Sequence, residues 1–177
     1  VLGAAGGVGL TAVELGKYFG AYVIAAARGR EKLKIAEKFG ADVLIDTSKE
    51  NLREVVKSIG GADVVYDPVG GDLFKEAMRA CKPEGKILTI GFASGDIPFI
   101  AANHLLVKNL SVRGLNWGAS EKFHTEVISK SLADLLEMFA QGKLAQHISH
   151  LYPFSDTKAA LELIENRKST GKVVVTI

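Results

Sequence analysis

The sequence predicts an α/β fold: a doubly wound, mainly parallel sheet of six strands with a short C-terminal strand–helix–strand appendage. Three observations carry this. Short apolar runs alternate with charged, helix-like stretches from Val1 to Leu115. The runs are apolar nearly throughout rather than at every second residue, as strands covered on both faces are. A glycine-rich turn, "VLGAAGGVGL", follows the first apolar residues and opens the first helical pattern. A strand, a turn of this kind and a helix form the opening unit of a Rossmann-type fold.

The elements follow in order. Val1–Gly3 counts as the first strand, and in the helix after it Val8, Ala12, Leu15 and Phe19 step by 4, 3 and 4 along one face. "YVIAAA" (Tyr22–Ala27) is a strand and "REKLKIAEKFG" a helix. "DVLI" (Asp42–Ile45) is a strand and "SKENLREVVKSIG" a helix. "ADVVYD" (Ala62–Asp67) leads to the helix "GDLFKEAMRAC". "GKILTIG" (Gly85–Gly91) leads through a loop to the short apolar segment "NHLLVK", and "LSVRGL" (Leu110–Leu115) closes the series. Gly20, Gly40 and Gly60 stand just past helices, where a left-handed cap wants glycine. Beyond residue 115 lies one long helix, "HTEVISKSLADLLEMFAQGKL", with Ile128, Leu132, Leu135 and Phe139 on one face. Then come the strand "HISHLYPF", a helix in "SDTKAALELIENRK" capped by Ser155, and the last strand "GKVVVTI". The break near Gly142–Leu144 divides body from appendage.

Composition narrows the function classes. Of 177 residues 47% are hydrophobic and 24% charged, ordinary for a soluble globular protein. The net charge of +2 does not favour nucleic acid as a partner. The single cysteine, Cys81, excludes an internal disulfide, fits a reducing compartment, and reads as a small core residue. No apolar run of about 18 residues predicts a membrane span, and no secretory signal is read. The expected location is the cytoplasm, or the mitochondrion in a eukaryote.

The glycine turn carries the chemistry. Glycines let the backbone turn sharply and approach a ligand, while the helix start offers free N–H groups and a positive dipole end to a pyrophosphate. Gly9 is placed where helix and strand pack closest. A site for NAD wants an acid about 20 residues past the turn, for the ribose 2′-hydroxyl. The strand here ends "AAARGREK", with Arg28, Arg30 and Lys32 and no acid at its tip. Positive charge suits a 2′-phosphate, which arginine binds bidentately, so the residues favour NADP(H) over NAD(H). Arg30 has the competing reading of a solvated helix start. The dipole disfavours basic residues at such a start, which adds weight to a ligand. "YDPVGG" brings Asp67 and Val69 to the carboxyl end of a strand, and "GFASG" does the same for Gly91, Phe92 and Ala93. Ligands of such sheets sit at those ends. His104, His124, His147 and His150 form no metal signature. No nucleophile elbow or P-loop lysine is present, so no catalytic residue is named and no metal is expected.

"GAAGGVGL", "DVVYDPVGG", "GFASGDIP" and "LLVKNLSVRGLNWG", in this order and ending at "RKSTGKVVV", resemble the zinc-independent quinone oxidoreductase (zeta-crystallin-like) branch of the medium-chain dehydrogenase/reductase superfamily. The resemblance covers essentially the whole chain. It implies an NADPH-dependent reductase of quinones or other α,β-unsaturated carbonyls, without catalytic zinc. In that family a GroES-like catalytic domain precedes the coenzyme domain, so this chain corresponds to the C-terminal coenzyme-binding part. Residues 1–144 would be the NADP(H)-binding Rossmann domain, its first strand truncated, and residues 145–177 a segment that packs on the GroES-like domain. Gly6, Gly7, Val8 and Gly9 match the pyrophosphate loop, and Lys32 matches a 2′-phosphate ligand. Arg28 lies where members place small polar residues that help it, and Arg167 matches an arginine that also approaches the cofactor. Gly91, Phe92 and Ala93 match the nicotinamide-side loop, and Asn116 and Trp117 a second wall. Thr47 stands where members often carry a tyrosine near the cofactor. The resemblance also implies a homodimer through Leu110–Leu115.

Two functions of different class remain at this point. One is a reductase coenzyme domain, weakly active or inactive in isolation because most of the substrate pocket would lie on the other domain. The other is a non-catalytic NADPH-binding or structural module, since fold does not fix function. A methyl-donor site is a distant third, lacking an acid at the end of Tyr22–Ala27.

Overall fold

The computed structural model describes residues 1–177. Residues 1–51 hold α1 (Gly9–Tyr18), β1 (Ile24–Ala27), α2 (Arg30–Lys38) and β2 (Val43–Asp46). Residues 52–145 hold α3 (Leu52–Ser58), β3 (Ala62–Asp67), α4 (Gly71–Ala80), β4 (Cys81–Thr89) and α5 (Ala102–Lys108). After these come β5 (Ser111–Gly114), α6 (Trp117–Ser120) and α7 (Thr125–Ala140). The rest holds β6 (Ile148–Pro153), α8 (Thr157–Glu165) and β7 (Lys172–Thr176). Every strand pairing is parallel: β1 with β2, β4 between β3 and β5, and β6 with β7. Helices separate the paired strands, so the fold is the Rossmann-type α/β class that the alternation predicts.

The chain forms two compact units. One joins Val1–Asn51 to Gln146–Ile177, and the other is Leu52–Ala145. The second junction lies beside the break read near Gly142–Leu144, and the first has no counterpart in the sequence reading. The segment after residue 145 shares a unit with the glycine turn. The Gly171 amide donates to the Ala5 carbonyl at 2.9 Å, and Gly6 and Gly171 form a parallel bridge.

In the first unit small residues let the layers close up. Ala4 and Ala25 are fully buried against Leu10, Val13, Leu33 and Ala36. Burying a Val or Leu completely contributes about 1.5–3 kcal/mol, and Val13 and Leu33 show no exposed surface. Gly20, Gly40 and Gly60 all have positive φ, and each donates its amide back three residues into the preceding helix, as the sequence implies.

The structure corrects several local readings. Val1–Gly3 is a single bridge, Leu2 to Ala26, flanked by bonds from Ala26 N to Val1 O and from Ala4 N to Ala26 O. The buried side of α1 is Gly9, Leu10 and Val13, while Val8 and Phe19 are exposed. The helix turns its glycine side to the strand because only that side approaches closely enough. On α7, Ile128 and Leu135 are half-buried, but Leu132 and Phe139 face outward. Ser155 does not cap a helix: its hydroxyl donates to Asp156, inside a short 3-10 turn that precedes α8. β4 begins at Cys81, four residues before Gly85, because Cys81 pairs with Ala62 before a bulge. Burial on both faces holds for the inner ends of β1 and β2 but not for β5, which borders its sheet.

Cys81 is buried, as expected of a small core residue, and burial pushes its thiol up to about 11. Thiolate is the reactive form. In the folded protein, alkylation by iodoacetamide at pH 8 is therefore expected to run about 100-fold slower than in denaturant. Comparable rates, followed by mass spectrometry, would contradict this burial.

Candidate functional site

The glycine turn is built from its own backbone. Gly3 has φ +59°, the Gly6 amide donates to the Gly3 carbonyl at 3.0 Å, and the Leu10 amide donates to Gly6 at 2.9 Å. These bonds fold the chain directly from strand position into α1. The first turn of α1 has no side-chain cap and no acidic residue, so its positive end is left for an anion. Gly9 touches the strand as expected: a Cβ there would stand 2.2 Å from the Gly3 carbonyl oxygen. A Cβ on Gly7 would meet the Gly171 carbonyl at 3.0 Å and the Lys172 ammonium at 3.4 Å. The turn is thus a close-fitted cradle with an ammonium beside it. Sequence reasoning missed Lys172, taking it only as the start of a strand. Nothing local in the sequence ties it to a turn 165 residues earlier.

The basic cluster assembles in the same unit. Arg28 follows β1, Gly29 turns the chain with φ +90°, and Lys32 lies in the first turn of α2. The Lys32 ammonium donates to the Arg167 carbonyl. Arg167 has φ +56° just past α8, a left-handed conformation uncommon outside glycine. Burial and the nearby charge of Arg28 lower the pKa of Lys32. The structure therefore sets Lys32 beside the Arg28 charge and against the Arg167 main chain, across 135 residues of sequence in the last case. Arg30 is exposed at the start of α2. Thr47 closes β2: its amide donates to Ala27 at 3.0 Å, and its hydroxyl is buried without a partner. Asp46, which the sequence reading did not single out, is 3% exposed. Its Oδ1 accepts from Gly29 N at 2.9 Å, Ser48 N at 3.1 Å and Ser48 Oγ at 2.6 Å. The Ser48 hydroxyl, then the Gly29 and Ser48 amides, hold its carboxyl down to about 2.

The second unit carries its own group at the carboxyl ends of β3 and β4. Asp67 is fully buried. Its Oδ1 accepts from the Val69 amide at 2.7 Å and the Gly70 amide at 2.9 Å, while Oδ2 has no partner. Burial raises its pKa, against the two amide bonds. Its carbonyl accepts from Ile90 at 2.8 Å and Gly91 at 3.3 Å. Ala93 donates to Pro68 at 3.1 Å and Ser94 to Val69 at 2.9 Å, so the turn 67–71 and the loop 90–96 are laced into one piece. Asp67 faces into that piece, and Phe92 is exposed on it. Asn116 and Trp117 lie past the end of β5. The Asn116 side chain caps α6 by accepting from Ala119 N at 3.1 Å, and Trp117 is exposed. No three His, Cys, Asp or Glu side chains converge as a metal would need.

Known proteins match this arrangement. The chain is 44% identical over 180 residues to a quinone oxidoreductase-like protein 2 homolog of Nematostella vectensis, covering 99% of this chain and 49% of that protein. It is 38% identical to quinone oxidoreductase-like protein 2 of Bos taurus, covering 100% of this chain and 52% of that protein. The crystal structure of Escherichia coli quinone oxidoreductase complexed with NADPH superposes with a TM-score of 0.88 at 28% identity, over 99% of this chain and 55% of that one. The chain spans about half the length of the relatives it matches. With residues 7–133 matching the family model described as zinc-binding dehydrogenase, the chain belongs to that family, among the quinone oxidoreductase-like proteins of the medium-chain dehydrogenase/reductase superfamily.

Proposed function

We propose that the chain binds NADPH as the coenzyme part of a reductase acting on a quinone or another α,β-unsaturated carbonyl. The observation that carries this is the pairing of the Arg28 and Lys32 cations, with the Arg167 main chain against Lys32, in the unit that also holds the glycine cradle. The residues fit the coenzyme. Gly6, Gly7 and Val8 offer a turn close enough for a pyrophosphate, with Gly9 holding α1 against the strand and Lys172 supplying charge beside Gly7. Arg28, Lys32 and Arg167 would hold the 2′-phosphate, and Thr47 offers a buried hydroxyl at the end of the neighbouring strand. Gly91, Phe92, Ala93, Asn116 and Trp117 would face the nicotinamide, with Asp67 and Val69 shaping the first of these loops. The chemistry supplied by the bound coenzyme is hydride delivery to the acceptor. This chain's share is to bind and orient the coenzyme.

The whole protein's features belong to the same reading. Residues 145–177 would pack on a GroES-like domain, supported by exposed Leu151 and Phe154. A homodimer would form through Leu110–Leu115, supported by the unpaired outer edge of β5. The activity would need no zinc, a reading supported by the motif resemblance. No helix is long and apolar enough to cross a membrane.

Titration calorimetry tests the proposal. NADPH is expected to bind at least ~10-fold more tightly than NADH. Equal or tighter NADH would overturn the reading of the basic cluster. Binding of neither would favour a structural module.

A further inference from the structure

Asp46 supplies a negative charge in a neighbourhood read as a phosphate site, and nothing in that reading uses it. Its geometry does. Ala27 pairs in register with Asp46 across β1 and β2, and Arg28 is the next residue. On one side of Arg28, the Ala27 carbonyl accepts from Thr47 N at 3.0 Å. On the other side, the Gly29 amide donates to Asp46 Oδ1 at 2.9 Å. Arg28 is thus bracketed by two backbone anchors, both from residues closing β2. The Gly29 backbone, at φ +90°, has a shape that few other residues adopt, so the turn relies on its bonds for direction.

The carboxylate is fixed inward. Its Oδ1 takes two more bonds from Ser48, and the residue is 3% exposed. Its Oδ1 is therefore committed to the Gly29 and Ser48 donors rather than to a ribose hydroxyl pair, the task of the strand-end acid in an NAD site. Its ionised state persists well below neutral pH.

We infer that Asp46 is a positioning residue for 2′-phosphate recognition: its buried carboxylate holds the Arg28–Gly29 turn so that the Arg28 guanidinium reaches a 2′-phosphate. This rests on the proposed reading of Arg28 and Lys32. All three bonds fall on one oxygen, so an asparagine carbonyl can replace it, whereas alanine removes it and glutamate moves it by one methylene.

The test is calorimetry with adenosine 2′,5′-bisphosphate and with 5′-AMP, the ratio of affinities being the readout. In wild type the bisphosphate binds more tightly; if it does not, the underlying NADP(H) reading fails before Asp46 is tested. Asp46→Ala and Asp46→Glu are expected to lose about tenfold of that preference, with 5′-AMP affinity nearly unchanged. Asp46→Asn is expected to keep it within about threefold. A merely structural role would lower both affinities together. Retention of the wild-type ratio in the Ala and Glu variants would overturn the inference, and so would its loss in the Asn variant. If Asp46→Ala does not fold, the Glu and Asn variants decide.

Discussion

Replacing Arg28 and Lys32 together by alanine is expected to weaken NADPH binding by about two to four orders of magnitude, with NADH binding changed by less than about threefold. Each side chain would give the 2′-phosphate a charge-assisted hydrogen bond, of about 1.5–3 kcal/mol. Every 1.4 kcal/mol is about tenfold in affinity. Burial first and the Arg28 charge second lower the pKa of Lys32, so the two cations also repel. A dianion placed between them relieves that repulsion, and the double variant forfeits the relief. Arg28→Lys is expected to recover only part of the loss, because an ammonium cannot bind a phosphate with two parallel bonds. The coenzyme preference should fall as salt rises, because Arg28 is exposed and screening acts on it. Titration calorimetry of NADPH and NADH on each variant checks all of this. An equal loss for both coenzymes would place the two residues in general folding or in pyrophosphate binding instead.

The same cluster shows where sequence reading succeeds and where it stops. Arg28 and Lys32 are legible because they are local: one strand end, one helix start and the absence of an acid between them. Arg167 was legible only through family resemblance, because its approach to Lys32 depends on the return of the C-terminal segment to the glycine turn. Lys172 and Asp46 were not legible at all. The position of Lys172 follows from a long-range bridge, and Asp46 looks like any acid at a strand end until its three donors are seen. Among the elements, periodicity found every long helix but misjudged which face of α1 is buried. Counting large apolar residues favoured Val8 and Phe19, whereas contact distance selected Gly9 and Val13. An alternation rule weighs apolar size and cannot see that a helix may be drawn to a strand by what it lacks. The strand at Val1–Gly3, read as truncated, pairs through one bridge.

Gly9 is where that lack is most consequential, and Gly9→Ala is expected to destabilise the protein by about 2 kcal/mol or more. A Cβ at this position would stand 2.2 Å from the Gly3 carbonyl oxygen, 2.7 Å from the Gly3 carbonyl carbon and 2.9 Å from the Ala4 Cα. All three are backbone atoms, so no flexible side chain can yield, and α1 must move off the strand by about an ångström or more to reach ordinary contact. Helix propensity works the other way, since alanine gains up to about 1 kcal/mol over glycine inside a helix. The overpacking cost of about 1–3 kcal/mol, occasionally more, outweighs it, and the shift also opens the sealed contacts of Leu10 and Val13. Gly16→Ala is the internal control. Its Cβ would meet only the Val23 Cγ2 methyl, at 3.2 Å, and a valine side chain can give by a few tenths of an ångström. There propensity and crowding roughly offset, so the variant is expected to stay within about 1 kcal/mol of wild type. Urea unfolding of the two variants separates the cases. Equal midpoints for Gly9→Ala and wild type would show that the helix does not press on the strand. If the expected loss is found, coenzyme binding by the remaining folded Gly9→Ala protein should also weaken, because the displaced helix carries the amides of the cradle with it.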